Sequence, residues 1–334
     1  MGKPVRMADI AEKLDISVVS VSKALSGKPG VSEEMRAKVV ALANEMGYER
    51  NRDYERIMNT GNIGVLVAER FFSENAFYSK LYLALVLKSK EEDSICMIEI
   101  VTPEAEADAV LPSLVVGKKV NGVILMGNLS PKYLQAVMKS GIPCLLLDFH
   151  IPGIALDCVI SDNQDGGFLL TEYLLSLGRK KIGFVGSIWA TSSIMDRYLG
   201  YQWALRSAGI QPEEEWLLED RDLSGNYIPI ELPEELPDAF LCSCDEVAVH
   251  LLEALRQVGK QVPEDVAVCG YDDYRFAGIS QLPLTTYQVD VNQMAEVAVK
   301  QLSRKVRQKE LGALSCIIPG HMIIRDSTEK ADQK

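Results

Sequence analysis

Residues 15–27 read DISVVSVSKALSG. The stretch holds three valines and four serines, and past Asp15 its one charged side chain is Lys23. Valine and serine are middling helix formers, so propensity alone leaves the segment open between helix and strand. The flanks decide. Upstream, Met7, Ile10, Ala11 and Leu14 recur at i, i+3, i+4 and i+7, the apolar stripe of a short helix. DIS interrupts that stripe, and Ser17 suits the N-cap of a second helix running to about Leu25. In it Val21, Ala24 and Leu25 turn inward, leaving Val19, Ser20, Ser22 and Lys23 outward. After the loop GKPG (27–30), Ser32 caps a third helix, with Glu33 and Glu34 in its positive first turn. Met35, Val39, Leu42, Ala43 and Met46 form its apolar face, and Gly47 ends it.

Two short helices joined by a tight turn, with a third closing a minimal core, make a helix-turn-helix unit. The composition of the second helix then has a reason. A helix held by packing tolerates valine and serine. Serine hydroxyls bind phosphate oxygens, valine methyls touch thymine methyls, and a lysine donates to guanine O6 or N7. From these residues alone, a small unrelated helical bundle is the competing reading.

A chain of 334 residues is long enough for two or three domains. At 47% hydrophobic and 25% charged it has the composition of a soluble globular protein. No apolar run reaches the roughly 18 residues needed to span a bilayer, and Asp9, Glu12 and Lys13 break up the N-terminus. A cytoplasmic protein with no membrane partner is expected. The net charge of −12 is uneven: residues 1–52 carry +2 and the remainder −14. A slightly basic head on an acidic body is consistent with nucleic-acid contact through the head alone. The seven cysteines are scattered, and Cys242 and Cys244 have no histidine close in sequence. Neither a metal site nor a disulfide framework is expected.

Beyond NTGN (59–62) strand-like and helix-like segments alternate. IGVLVAE (63–69), SICMIEIV (94–101), VNGVILMG (120–127) and IPCLLLDF (142–149) read as strands. KKIGFVG (180–186), DAFLCSC (238–244) and DVAVCGYDD (265–273) continue the series. Alternating β and α with continuous apolar strands implies doubly wound parallel sheets. Two such halves make a clamshell that binds ligands at the carboxyl ends of its strands. No GxxxxGK[ST] phosphate loop occurs, GFVGS (183–187) has too few glycines for a dinucleotide fingerprint, and no serine sits in a GxSxG elbow. His150, His250 and His321 form no evident triad. No catalytic residue, metal or cofactor is assigned, and an enzyme is not expected.

The segment VRMADIAEKLDISVVSVSKALSGKPGVSEEMRAKVVALANEMGYERN (5–51) resembles the DNA-binding head of the LacI/GalR (lactose-repressor) family. The likeness continues through VISDNQDGGFLLTEYLLSLGRKKIGFVG (159–186), DRYLGYQWALRSAGI (196–210), VAVCGYDD (266–273), LPLTTYQVD (282–290) and IIRDST (323–328). It implies a ligand-responsive transcriptional regulator, by default a repressor. Such a regulator binds a near-palindromic double-stranded DNA operator as a homodimer, under the control of a small effector in the interlobe cleft. A sugar or related polyol is the effector class expected. Val18, Val19 and Lys23 would then read bases, and Ser17, Ser20, Ser22, Ser32 and Tyr48 would clamp phosphates. The resemblance further implies a fold made of an all-α helix-turn-helix head and a periplasmic-binding-protein-like α/β clamshell. The head spans 1–49 and a hinge 50–61. One effector-binding subdomain spans 62–160 and 290–317, the other 161–289 and 318–334.

Several departures from the family pattern bear on function. In the hinge YERNRDYERIM (48–58), Arg50 stands where the family has proline, and Ile57 stands at the minor-groove leucine position. Ile57 or Met58 can still serve as an apolar wedge. A sensor with a degenerate hinge and little DNA binding is therefore the alternative reading, and a hydrolase or isomerase on the same clamshell the third. In the cleft, Asp148 and Asp272 follow strand ends and suit hydroxyl-rich ligands. Arg197 matches the family's effector-clamping arginine and Ser193 a further effector-side position. Phe77, Tyr78, Trp189 and Tyr271 are aromatic candidates for stacking on a sugar face. Cys244 replaces the family's usual asparagine, removing an amide from the pocket. The segment SGNYIPIELPEELPDAF (224–240) is shorter than usual, with prolines and glutamates in place of a helix.

Overall fold

The computed structural model describes residues 5, 7–25, 29–46, 48, 61–72, 76–222, 225–273, 282–308 and 312–328. Contacts divide the chain into two units, Met1–Thr60 and Gly61–Lys334.

The first unit contains α1 (Met7–Leu14), α2 (Val18–Leu25) and α3 (Glu33–Glu45). Its core is Ile10, Ala11, Val21, Ala24, Val39 and Ala43, the inward positions that helical spacing assigns. Asp15 takes the left-handed turn between α1 and α2, at φ 49°. The Ser17 hydroxyl accepts the Ser20 amide at 3.0 Å, capping α2. Ser32 caps α3 the same way through the Met35 amide, and Arg36 donates to the Ala24 carbonyl at the end of α2.

The second unit is built on three sheets. A six-stranded parallel sheet has the order β11-β5-β4-β3-β1-β2. Its strands are β1 (Ile63–Ala68), β2 (Cys96–Val101), β3 (Gly122–Met126), β4 (Cys144–Leu147), β5 (Asp157–Ser161) and β11 (Ser315–Ile318). A four-stranded parallel sheet has the order β7-β6-β8-β9, from β6 (Ile182–Val185), β7 (Leu217–Leu218), β8 (Ala239–Cys242) and β9 (Ala267–Cys269). β10 (Thr286–Gln288) and β12 (His321–Ile323) form an antiparallel pair. β1, β3 and β4 are buried at every residue, which explains their unbroken apolar sequence. β2 is different: it lies at the sheet edge and is mostly half-buried, and its Glu99 accepts the amides of Ser113 and Leu114.

The chain leaves the first sheet after β5, builds the second, and returns as the helix Val291–Arg307 before adding β11 to the first sheet's edge. From β11 it crosses once more to β12, beside β10, so among the described residues three passages join the two lobes. The helices Asn163–Ser176 and Ser192–Ser207 pack so closely that a Cβ on Gly200 would stand 2.0 Å from the Gln164 carbonyl oxygen, and one on Gly167 2.2 Å from that of Arg197. Close approach at these two glycines sets where Asn163 and Arg197 meet. Residues 225–237 form no helix; they run as extended, proline-punctuated chain with a bridge between Arg221 and Tyr227.

Candidate functional site

On α2 the two valines at the helix start face solvent, Val18 at 47% and Val19 at 63% exposure, while Val21 on the opposite side is fully buried. Ser22, Lys23 and Ser32 are exposed, and Ser20 is half-buried with its hydroxyl 2.9 Å from that of Ser17. Tyr48 is half-buried against the head core. Ile57 and Met58 lie outside the described residues.

In the body, parallel strands deliver both predicted aspartates to the interlobe cleft. Asp148 follows β4 at φ 68° and Asp272 follows β9 at φ 100°. Both hold left-handed backbone, which costs a non-glycine residue free energy and concentrates at functional sites. They line a small cavity of about 50 Å³ together with Phe77, Tyr78, Ser193, Arg197 and Cys244. Arg197 is 5% exposed and nearly saturated: its Nε donates to Asn163 Oδ1 at 2.9 Å and its Nη1 to the Ser243 carbonyl. Its Nη2 lies 3.3 Å from Asp272 Oδ1, and the guanidinium stacks 3.7 Å from the centre of the Tyr271 ring. Tyr78 donates to Asp148 Oδ2 at 2.8 Å, and Ser193 donates to the Asp148 carbonyl at 2.7 Å.

One carboxylate oxygen is left over. Asp148 Oδ1 is buried without a hydrogen-bond partner, as is Ser243 Oγ, while Asp272 Oδ1 has only its ion pair with Arg197. A buried polar atom left unpaired is costly, so such a cluster marks a place for donors from outside. Burial pushes the Asp148 carboxyl up to about 6 against the pull of Arg197. It pushes Asp272 up to about 7, again opposed by Arg197, while the charge of Asp148 adds to the rise. The Cys244 thiol is driven up to about 12 by burial and stays protonated, a small soft lining group rather than a nucleophile.

One aromatic expectation changes, and another residue lines a different cavity. Tyr271 does not line the cavity; it is fully buried, donates to the Asp162 carbonyl at 3.1 Å, and acts as the platform beneath Arg197. Trp189 is 85% exposed and stands apart from the aspartates, on the wall of a second and larger cavity of about 870 Å³. Asp273 and Asp162 serve structure: Asp273 holds Arg325 and Gln288, and Asp162 caps the helix Asn163–Ser176. Sequence spacing gave no sign of Phe71 or Arg221, which line both cavities. Arg221 pairs with Asp220 at 2.6 Å and stacks on Tyr227, an arrangement made by the unusual segment after β7. His150 also proves to be a bridge, half-buried with Nε2 3.0 Å from Asp196 Oδ2 on the other lobe. Among the described residues no cluster of metal-ligating side chains occurs.

Comparison with known proteins places this geometry. Residues 6–51 match the family described as bacterial regulatory proteins, lacI family, and residues 171–328 match a periplasmic binding protein-like domain. The head is a LacI-family DNA-binding domain. It is 26% identical over 329 residues to the ribose operon repressor of Haemophilus influenzae, covering 96% of this chain and 98% of that one. Against the HTH-type transcriptional repressor PurR of Vibrio vulnificus the figures are 24% over 330 residues, 96% and 98%. The lac repressor dimer solved with operator and the anti-inducer ONPF superposes with a TM-score of 0.69 at 23% identity, covering 98% of this chain and all of that one. The regulator CelR, solved with cellobiose, gives 0.68 at 21%, covering 97% and 99%. With a LacI-family head and transcriptional repressors as homologues over 96% of its length, the protein is a DNA-binding transcriptional regulator and not an enzyme. Among the described residues no helix is long and apolar enough to cross a membrane.

Proposed function

We propose that the protein is a cytoplasmic repressor that binds a near-palindromic operator as a homodimer and releases or grips it according to a neutral sugar or polyol held between its lobes. Val18, Val19 and Lys23 read base edges in the major groove, and Ser17, Ser20, Ser22, Ser32 and Tyr48 hold phosphates. The observation that carries the reading is the pair of exposed valines at the start of a helix whose other face is fully buried. Water gives no reason to display β-branched methyls there, whereas thymine methyls do.

The effector half of the reading rests on the unpartnered Asp148 oxygen, which calls for a hydroxyl donor, with Asp272 beside it held by Arg197 alone. Two carboxylates against one paired arginine disfavour an anionic ligand. Because lobe arrangement and head spacing share one equilibrium, effector and operator change each other's affinity by the same factor. The first lobe supplies the dimer contact; Leu83 and Leu87, about one helical turn apart, are more than half exposed on it.

A mobility-shift assay with the protein's own promoter region tests the core claim. Lys23→Ala should lose about tenfold or more in affinity, as expected for one guanine contact. Equal retardation by wild type and variant would remove Lys23 from the interface.

A further inference from the structure

The two cavities in the cleft differ so much in size that they cannot hold the same part of a ligand. The inner one, bounded by Asp148, Arg197 and Asp272, measures about 50 Å³, room for a few waters and not for a sugar ring. The outer one measures about 870 Å³, within the range of roughly 300–1,000 Å³ usual for small-molecule sites. Phe71 and Arg221 line both, so the spaces meet at that pair.

The outer chamber is built from both lobes. Arg70, Asn128 and Ile151 come from the first; Trp189, Glu219 and Asp222 come from the second. Its cations are already engaged. Arg70 donates to Glu106 at 2.6 Å and to the Asn128 carbonyl at 2.7 Å, and Arg221 is paired with Asp220. Glu219 and Asp222 add negative charge to the wall. An anionic ligand would meet these carboxylates and the two inner aspartates together. The remaining chemistry is an aromatic plane at the mouth, apolar side chains and acceptors at the edge. That set fits the alternating CH faces and hydroxyls of a carbohydrate.

Resting on the effector reading above, we infer that the ligand is a neutral saccharide of at least two rings. It sends one hydroxyl-bearing group into the inner pocket, while its bulk lies in the outer chamber with the distal ring on Trp189. Trp189 is then a specificity-determining residue. A ligand in this position touches both lobes at once and so favours the arrangement that encloses it.

Calorimetric titration of the full-length protein tests this. The probes are maltose, cellobiose, lactose, sucrose and trehalose, their component glucose, galactose and fructose, and glucose 6-phosphate. At least one disaccharide should bind about tenfold or more tightly than its own monosaccharides. Trp189→Ala should erase that advantage while leaving monosaccharide affinity unchanged; the side chain is 85% exposed, so the fold does not depend on it. Asp272→Asn should weaken both kinds of sugar. Equal binding of disaccharides and monosaccharides, or no selective loss in Trp189→Ala, overturns the outer subsite and leaves the sugar-responsive reading standing. Tightest binding of glucose 6-phosphate overturns the charge argument and the inference with it. No binding by any probe overturns both the inference and the sugar reading, while operator binding would still stand on its own assay.

Discussion

His150 Nε2 lies 3.0 Å from Asp196 Oδ2, and the two residues belong to opposite lobes: His150 follows β4 in the first, and Asp196 stands on the helix Ser192–Ser207 of the second. The tie does not act alone. The Ser192 hydroxyl accepts the His150 amide, Asn128 donates to the Ala190 carbonyl at 2.9 Å, and Ser193 donates to the Asp148 carbonyl. A short run at the start of one helix thus stitches the lobes together beside the inner pocket. Partly exposed pairs of this kind are worth about 0.2–1 kcal/mol each. His150→Ala should therefore weaken effector binding by about twofold to fivefold. Asp196→Ala should do the same, and the double variant should lose no more than either single one. Additive losses in the calorimetric cycle would show that the two side chains act separately.

The raised carboxyls predict a pH dependence of stability. Asp148 and Asp272 reach about 6 and about 7 in the fold, above their ordinary value. The folded state therefore holds protons that the unfolded chain has released, so the stability these groups contribute is complete at low pH and is lost as pH rises through 6 to 7. Wild type should lose stability between pH 5 and pH 8 relative to Asp272→Asn, by on the order of 2 kcal/mol, read as a falling melting temperature. A constant gap between the two across that range, measured by calorimetry, would mean Asp272 titrates normally.

Helix contact at Gly200 predicts a steric variant. A Cβ there meets the Gln164 carbonyl at 2.0 Å and the Phe168 amide at 2.7 Å, both backbone and unable to yield. Gly200→Ala should destabilise the body by about 3 kcal/mol or more and displace Arg197, which sits one turn earlier on the same helix. Gly209→Ala, on a left-handed residue at the end of that helix with nothing near, reports strain alone and should cost less. A melting temperature for Gly200→Ala equal to wild type would refute the close approach.

Ser17 caps α2 and is also assigned to phosphate, and two substitutions separate the roles. Ser17→Ala removes the bond to the Ser20 amide and should cost the head about 1 kcal/mol. Ser17→Asp keeps a capping oxygen and so keeps the head folded, but places negative charge at the DNA backbone. Circular dichroism should show an intact head in Ser17→Asp alongside weakened operator binding. Full binding by Ser17→Asp would leave Ser17 as a cap only.

Much of this molecule was legible in the residues alone. Helical spacing at Met7, Ile10, Ala11 and Leu14, the caps Ser17 and Ser32, and the unbroken apolar runs of β1, β3 and β4 each follow from local chemistry. Short-range rules suffice where neighbours in sequence are neighbours in space. Local pattern also marked Asp148 and Asp272, because strand ends stand out, whereas Arg197 came from the family resemblance. It did not show that β2 lies at an edge, that β11 returns to pair with β5, or that Tyr271 turns under Arg197 instead of toward a ligand. Nor did it foresee Phe71 and Arg221 linking a small polar pocket to a large chamber, or the His150–Asp196 tie. Those depend on which lobe surfaces come to face each other, a relation between residues tens of positions apart that no periodicity encodes and only the packed chain decides.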